Sequence, residues 1–209
     1  MPRDEAKLWD GFAGIYDAFM KKDLPAYREM IGRIGQRFRP DSRVLEIATG
    51  TGILSLGIAD SAGSIESVDL SPEMISAAQE KARRLNITNV RFSVADATAL
   101  PYGAERFDIV IIANTLHIMP EPERALKEIG RVLKTDGLMI APTFVHAQNK
   151  MAGIRSRLMS LTGFRAYHKW AHQSYVRFLA ENGFDVVEEA ALNASFPLVY
   201  AVARKTGQV

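Results

Sequence analysis

The run Val44-Leu45-Glu46-Ile47-Ala48-Thr49-Gly50-Thr51-Gly52 carries the residue types best suited to hold a small ligand. Val44, Leu45 and Ile47 supply a short buried strand. Gly50 and Gly52 carry no Cβ, so the backbone can turn tightly and come close to a ligand. Ile53, Leu54, Leu56 and Ile58 follow at helical spacing. A helix that starts here turns its free N–H groups and positive dipole end toward the loop, which favours an anionic ligand group. A phosphate-cradling loop would need Gly-Lys-Ser/Thr, but Gly52 is followed by Ile53 and Leu54. A dinucleotide fingerprint needs a small residue at its third glycine position, where Ile53 stands. What is left is acidic-x-small-x-Gly-x-Gly, with Glu46 as the acid.

Elements of alternating type must position this loop. Residues 4–20 have helical period with Trp9, Phe12, Tyr16, Phe19 and Met20 on one face, and 25–38 form a second helix opened by Pro25. Strands are predicted at 43–48, 64–69 and 90–95, and at 107–113, where Phe107 to Ala113 is almost continuously apolar as in a strand covered on both faces. Ser71-Pro72-Glu73 is a strong helix start, running to about Leu85 and Asn86. A helix opened by Pro120 and Pro122 is followed by a Thr135-Asp136-Gly137 turn and a fifth strand at 138–143. A return helix spans about Ser174 to Asn182 and ends at Gly183. Strands at 184–192 and 196–204 are joined too closely for a crossover and so must be antiparallel. The fold class expected is α/β, a mainly parallel sheet with a reversed last strand and helices on both faces. Ligands of such sheets bind beyond the carboxyl ends of the strands. That brings together the 48–52 loop, Asp69, Asp96 and Asn114.

These residues resemble the class I S-adenosylmethionine (SAM)-dependent methyltransferases. Trp9-Asp10, Ala13 and Tyr16-Asp17 are similar to the aromatic-Asp-x-x-Ala-x-x-Tyr-Asp element of the ubiquinone/menaquinone-biosynthesis-like branch, and Phe107 to Thr143 is similar to the family's fourth and fifth strands. The resemblance covers about residues 9–204. It implies a Rossmann-like sheet of seven strands, SAM as cofactor, and binding by Tyr16, Glu46, Ala48, Thr49, Gly50, Gly52, Asp69, Leu70, Asp96, Ala97 and Asn114. Asp69 would take the ribose hydroxyls. Asp96 and the Ala97 N–H would read the adenine, against which Leu70 packs. Glu46 and the Asn114 carbonyl would face the ammonium. Ala48 departs from the family pattern, which has glycine there. A positive φ at Ala48 would cost on the order of 1 kcal/mol.

Displacement at a sulfonium methyl needs mainly alignment and exclusion of water, so no catalytic dyad is required. His117 is the candidate for a base or for packing on the cofactor. His146, His168 and His172 are scattered and do not suggest a metal site. With no cysteine, disulfides and thiolate metal sites are excluded. A length of 209 residues suits one domain, 1–209, with N-terminal helices (4–38) and an inserted cap at about 144–172. The cap carries Met151, Leu158, Phe164, Tyr167 and Trp170 and is expected to roof the acceptor pocket together with Trp9, Phe12 and Tyr16. A net charge of +2 does not call for a nucleic-acid surface, and no apolar run is long enough to span a bilayer. A cytoplasmic enzyme acting on a small-molecule acceptor is the expectation. Alternatives are an RNA methyltransferase, motivated by Lys150, Arg155, Arg157, Arg165 and Lys169, and a SAM-binding partner subunit without turnover.

Overall fold

Strand β1 (Arg43–Ile47) lies between β2 (Ser64–Asp69) and β4 (Phe107–Ile112), both parallel to it. The computed structural model describes residues 3–145 and 166–207. Strand β3 (Val90–Val94) pairs parallel to β2, and β5 (Leu133–Ile140) parallel to β4. β8 (Leu198–Lys205) runs antiparallel to β5, to the two-residue β6 (Thr143–Phe144) and to β7 (Phe184–Leu192). The order is β3-β2-β1-β4-β5-β8, with β7 on the far side of β8. Chain direction across the sheet therefore reverses beside β1, and the space above β1 and β4 is the switch point.

The long apolar run of β4 follows from burial on both faces. Val110 and Ile112 join Leu45 and Ile47 of β1 in one core. That core is closed by Ala125, Leu126 and Ile129 of α5 (Pro122–Val132) and by Tyr175 and Leu179 of α6 (His172–Glu181). Ile109 and Ile111 point the other way with Val44, against Met30 and Ile34 of α2 (Leu24–Gly35) and Leu54 and Ile58 of α3 (Ile53–Ile58). Each such side chain, fully buried, is worth roughly 1.5–3 kcal/mol.

α4 (Pro72–Arg84) begins where the sequence places it: Ser71 Oγ accepts from the Met74 N–H at 3.1 Å, with Pro72 in the first turn. It stops at Leu85, and Asn86 takes a left-handed φ of 56° that closes the end. α1 (Arg3–Met20) packs across α4. The fifth strand differs from its expected form at both ends. It starts at Leu133, and Thr135-Asp136-Gly137 are not a turn but part of a bulge: Phe107 pairs with Leu133 and Ile109 already with Leu138. At its far end, β5 and β6 hold one continuous register on β8, Met139 opposite Ala203 and Thr143 opposite Val199. The break between them is Ala141-Pro142, where proline has no N–H to give the ladder. The Pro142 carbonyl instead accepts from the Asn114 N–H at 2.7 Å and so fixes the chain leaving β4. Most of the cap expected at 144–172 lies outside the described residues.

Candidate active site

The loop after β1 is held by backbone in unusual conformations. Ala48, Gly50 and Gly52 have φ of 55°, 56° and 80°. Ala48 therefore falls in the costly branch of the expectation, a left-handed residue bearing a methyl. Gly52 meets its requirement for a different reason than the ligand approach expected of it: a Cβ there would lie 3.2 Å from Ala78 Cβ and from the Phe92 ring, so the close approach is by α4 and β3. At Gly50 the neighbour is the Tyr16 ring, 3.5 Å from where a Cβ would stand. The Thr49 N–H donates to Val68 O and the Gly52 N–H to Thr49 O, both at 3.0 Å.

Asp69, at the carboxyl end of β2, ties two elements together. Its Oδ2 accepts from the Gly50 N–H at 2.8 Å and its Oδ1 from the Ser71 N–H at 2.9 Å. Burial raises its pKa, the N–H groups of Ser71 and Gly50 oppose that shift, and the charge of Asp10 adds to it. Glu46 is 2% exposed. Its carboxylate accepts from Thr49 Oγ1 at 2.8 Å and from Ser55 Oγ, which itself meets Ser67 Oγ at 2.7 Å. Burial pushes the Glu46 pKa up to about 8, although the Thr49 and Ser55 contacts pull it down. Among the described residues no arginine, lysine or histidine hydrogen-bonds either acid.

Asn114 stands beyond β4 with φ of 54°. Its Nδ2 donates to the Tyr27 hydroxyl at 3.0 Å, and its Oδ1 is buried without a partner. Burial raises the pKa of Tyr27 to about 12 and that of the neighbouring Tyr16 well above its ordinary value.

These groups surround a cavity of about 140 Å³. Of the site residues expected from sequence, Tyr16, Ala48, Gly50, Asp69, Leu70, Ala97 and Asn114 line it. Glu46, Thr49, Gly52 and Asp96 are not in that lining: Thr49 and Gly52 belong to the loop, Glu46 holds Thr49 from β1, and Asp96 Oδ1 accepts from the Thr98 N–H and Oγ1, both at 2.8 Å. His117 is not in the lining either. It is buried, with Nδ1 3.1 Å from Thr143 Oγ1 and its ring edge-on to Phe144. Leu8 and Trp9 of α1 close the top, with Tyr167 beside them. A larger cleft of about 390 Å³ lies at the amino ends of the strands between Arg43, Arg91 and Arg106. It contains none of the loop residues, and the switch point is at the other edge. Among the described residues no cluster of His, Cys, Asp or Glu could hold a metal ion.

Sequence reasoning missed how α1 is attached. Asp10 Oδ1 accepts from Ser71 Oγ at 2.5 Å and from the Glu73 N–H at 3.3 Å. Asp17 Oδ1 accepts from Thr51 Oγ1 at 2.6 Å, and its other oxygen pairs with Lys81. The signal was present: Asp10 and Asp17 are seven residues apart and so share a helix face. The Tyr27–Asn114 bond and Met74 in the cavity wall had no comparable signal.

A reversed-strand Rossmann-like sheet whose first loop, first acid and fourth-strand asparagine meet at the switch point defines a class I SAM-dependent methyltransferase, with SAM as its cofactor. The chain belongs to the methyltransferase-domain family, whose model matches residues 38–183, and within it to the ubiquinone/menaquinone-biosynthesis-like branch. It is 29% identical over 182 residues to the phosphatidylethanolamine N-methyltransferase of Cereibacter sphaeroides, covering 86% of this chain and 87% of that one. It is 38% identical over 150 residues to the demethylmenaquinone methyltransferase of Renibacterium salmoninarum, covering 69% of this chain and 60% of the relative's length. The crystal structure of the YcgJ protein of Bacillus subtilis superposes with a TM-score of 0.71 at 18% identity, covering 85% of this chain and 98% of that one, a likeness of fold.

Proposed function

We propose that this enzyme methylates a small acceptor made of a polar head on an apolar body, and that its cofactor is held by the residues around the 48–52 loop. The observation that carries the cofactor geometry is the pair of buried acids, Glu46 and Asp69, with no cationic hydrogen-bond partner among the described residues. SAM offers an ammonium that Glu46 can face and ribose hydroxyls that Asp69 can accept. A nicotinamide dinucleotide would set its pyrophosphate on the 48–52 loop and needs a small residue where Ile53 stands.

In this reading Asp69 accepts the ribose hydroxyls with the lone pairs left over from Gly50 and Ser71. Glu46 and the Asn114 carbonyl face the ammonium. Leu70 packs on the adenine, whose edge Asp96 and the Ala97 N–H read. Tyr16 closes over Gly50, and Ala48, Thr49 and Gly52 set the shape of the loop. Bound SAM supplies an already electrophilic methyl. The protein then has to align the acceptor and exclude water, which well-ordered geometry can supply to the extent of ~7–11 kcal/mol. His117 serves packing rather than proton transfer, since its ring lies outside the cavity lining and Nδ1 is held by Thr143.

Phosphatidylethanolamine and demethylmenaquinone, the acceptors in the names of the two relatives, are both polar heads on long apolar tails. The apolar rim formed by Leu8, Trp9 and Tyr167 suits an acceptor of this class. Residues 1–209 act as one domain, with α1 over the cavity at the carboxyl edge of the sheet.

Calorimetric titration tests the reading. One-to-one binding of SAM and of its demethylated product is expected, with no heat from NAD, and tight NAD binding without SAM heat would overturn it. Asp69→Ala should weaken SAM binding by roughly 1.5–3 kcal/mol in a folded protein, the scale of hydrogen bonds to a charged group. Turnover against a panel of amphiphilic acceptors separates an enzyme of this specificity from a partner subunit.

A further inference from the structure

Helix α1 has two faces with different composition. The inner one carries Asp10, Asp17, Trp9 and Tyr16 and is spent on α4, Thr51 and the cavity. On the outer one, Leu8, Phe12, Ile15 and Phe19 recur at intervals of four, three and four residues. They form one stripe, about 17 Å long at the rise of an α-helix. Leu8, Ile15 and Phe19 are 37%, 57% and 48% exposed. Half-buried Phe12 joins the stripe to the inner face, with ring centroids 5.5 Å from Phe19 and 6.3 Å from Trp9. Among the described residues the other exposed large hydrophobics are Leu85, Val94 and Val187, each on a different element, and Tyr167 at the cavity mouth. A contiguous apolar stripe of this kind marks an interaction surface, whereas single exposed hydrophobics do not.

The acidic side chains beside the stripe are engaged elsewhere. Asp10 and the half-exposed Asp17 bond Ser71, Thr51 and Lys81, and Glu5 lines the cavity. Lys7, Lys21 and Lys22 stay exposed, within α1 or directly after it. An apolar stripe flanked by lysines is the composition of a helix that lies in the plane of a lipid interface. The stripe also begins at the cavity: Leu8 belongs both to it and to the cavity lining, and exposed Tyr167 lines the same mouth.

We propose that α1 seats the enzyme on an anionic lipid surface, so that an acceptor embedded there offers its polar head to the cavity past Leu8 and Tyr167. What crosses the rim rests on the amphiphilic-acceptor reading above; the docking itself does not. The test is cosedimentation of the full chain with vesicles of phosphatidylcholine, with and without phosphatidylglycerol. Binding to the mixed vesicles is expected, weaker with phosphatidylcholine alone and weakened by salt. Ile15→Ser with Phe19→Ser should lower the partition coefficient roughly tenfold or more, while calorimetric SAM binding stays unchanged. Should that variant fail to fold, Lys21→Gln with Lys22→Gln carries the test, with loss of the preference for phosphatidylglycerol expected. The proposal is overturned if the wild-type chain ignores both vesicles, or if the serine variant binds them equally well. It is also overturned if the chain is a dimer that the serine variant turns into a monomer, since a second copy would then own the stripe. Loss of SAM binding in the wild-type chain would count against the cofactor assignment alone.

Discussion

The 48–52 loop and helix α1 enclose the same cavity from opposite sides and are built on different principles. The loop is a backbone device. Three of its five residues are left-handed, the N–H groups of Gly50, Thr49 and Gly52 are taken by Asp69, Val68 and Thr49, and α4 and β3 press against Gly52. Helix α1 is a side-chain device, latched by Asp10 and Asp17 and lining the cavity with Leu8, Trp9 and Tyr16. A backbone device tolerates little change, because its geometry depends on residue size and φ. A side-chain device can be re-cut while the helix remains. In the proposed function the rigid side would hold the cofactor and the adaptable side the acceptor, the division of labour this contrast suggests.

The sharpest way to break the contrast is Gly52→Val. A β-branched residue at φ of 80°, with its Cβ 3.2 Å from Ala78 and Phe92, combines backbone strain with overpacking and should cost roughly 2–5 kcal/mol. Denaturant midpoints would show it, and a loss under ~1 kcal/mol would mean the loop yields more readily than its contacts imply.

The buried acid beneath the loop comes next. Glu46 has an ordinary value of 4.5 and a native value of about 8. Between those two values the unfolded chain has lost this proton and the native chain still holds it. The unfolded state then binds fewer protons, so this group's contribution makes stability fall as pH rises through the window and level off above it. Unfolding of wild type and Glu46→Gln, compared from pH 4.5 to 8, should show that slope only in the wild type. Parallel curves would refute it.

Ala48→Gly sharpens the comparison from the other direction. It relieves a left-handed methyl and should stabilise the folded chain by up to about 1 kcal/mol, less the entropy glycine adds to the unfolded state. A measured destabilisation would show that the Ala48 methyl packs usefully. The smallest effect is expected on the helix side. The Asp17 side chain is 51% exposed in its pair with Lys81, so Asp17→Ala should cost less than about 1 kcal/mol in thermal or chemical unfolding. A cost as large as that of Gly52→Val would erase the distinction between the two sides.

The sequence by itself determined the features that arise within one element. Ser71-Pro72 starts α4 because a cap and a proline act on their own turn, and Phe107 to Ile112 reads as a central strand because its apolar run needs cover on both faces. The loop, Asp69, Asp96 and Asn114 were legible for the same reason: each stands at the end of a strand whose existence is local. Tertiary structure alone decided the rest. Thr135-Asp136-Gly137 reads as a turn in isolation and becomes a bulge only because β4 pairs on both sides of it. The partners of His117, Thr143 on Nδ1 and Phe144 edge-on to the ring, come from β6. The sign of φ at Ala48, the neighbours that make Gly52 necessary and the bond from Asn114 to Tyr27, 87 residues away, depend on which surfaces meet. Local propensity cannot contain that information, since it belongs to pairs of elements distant in the chain.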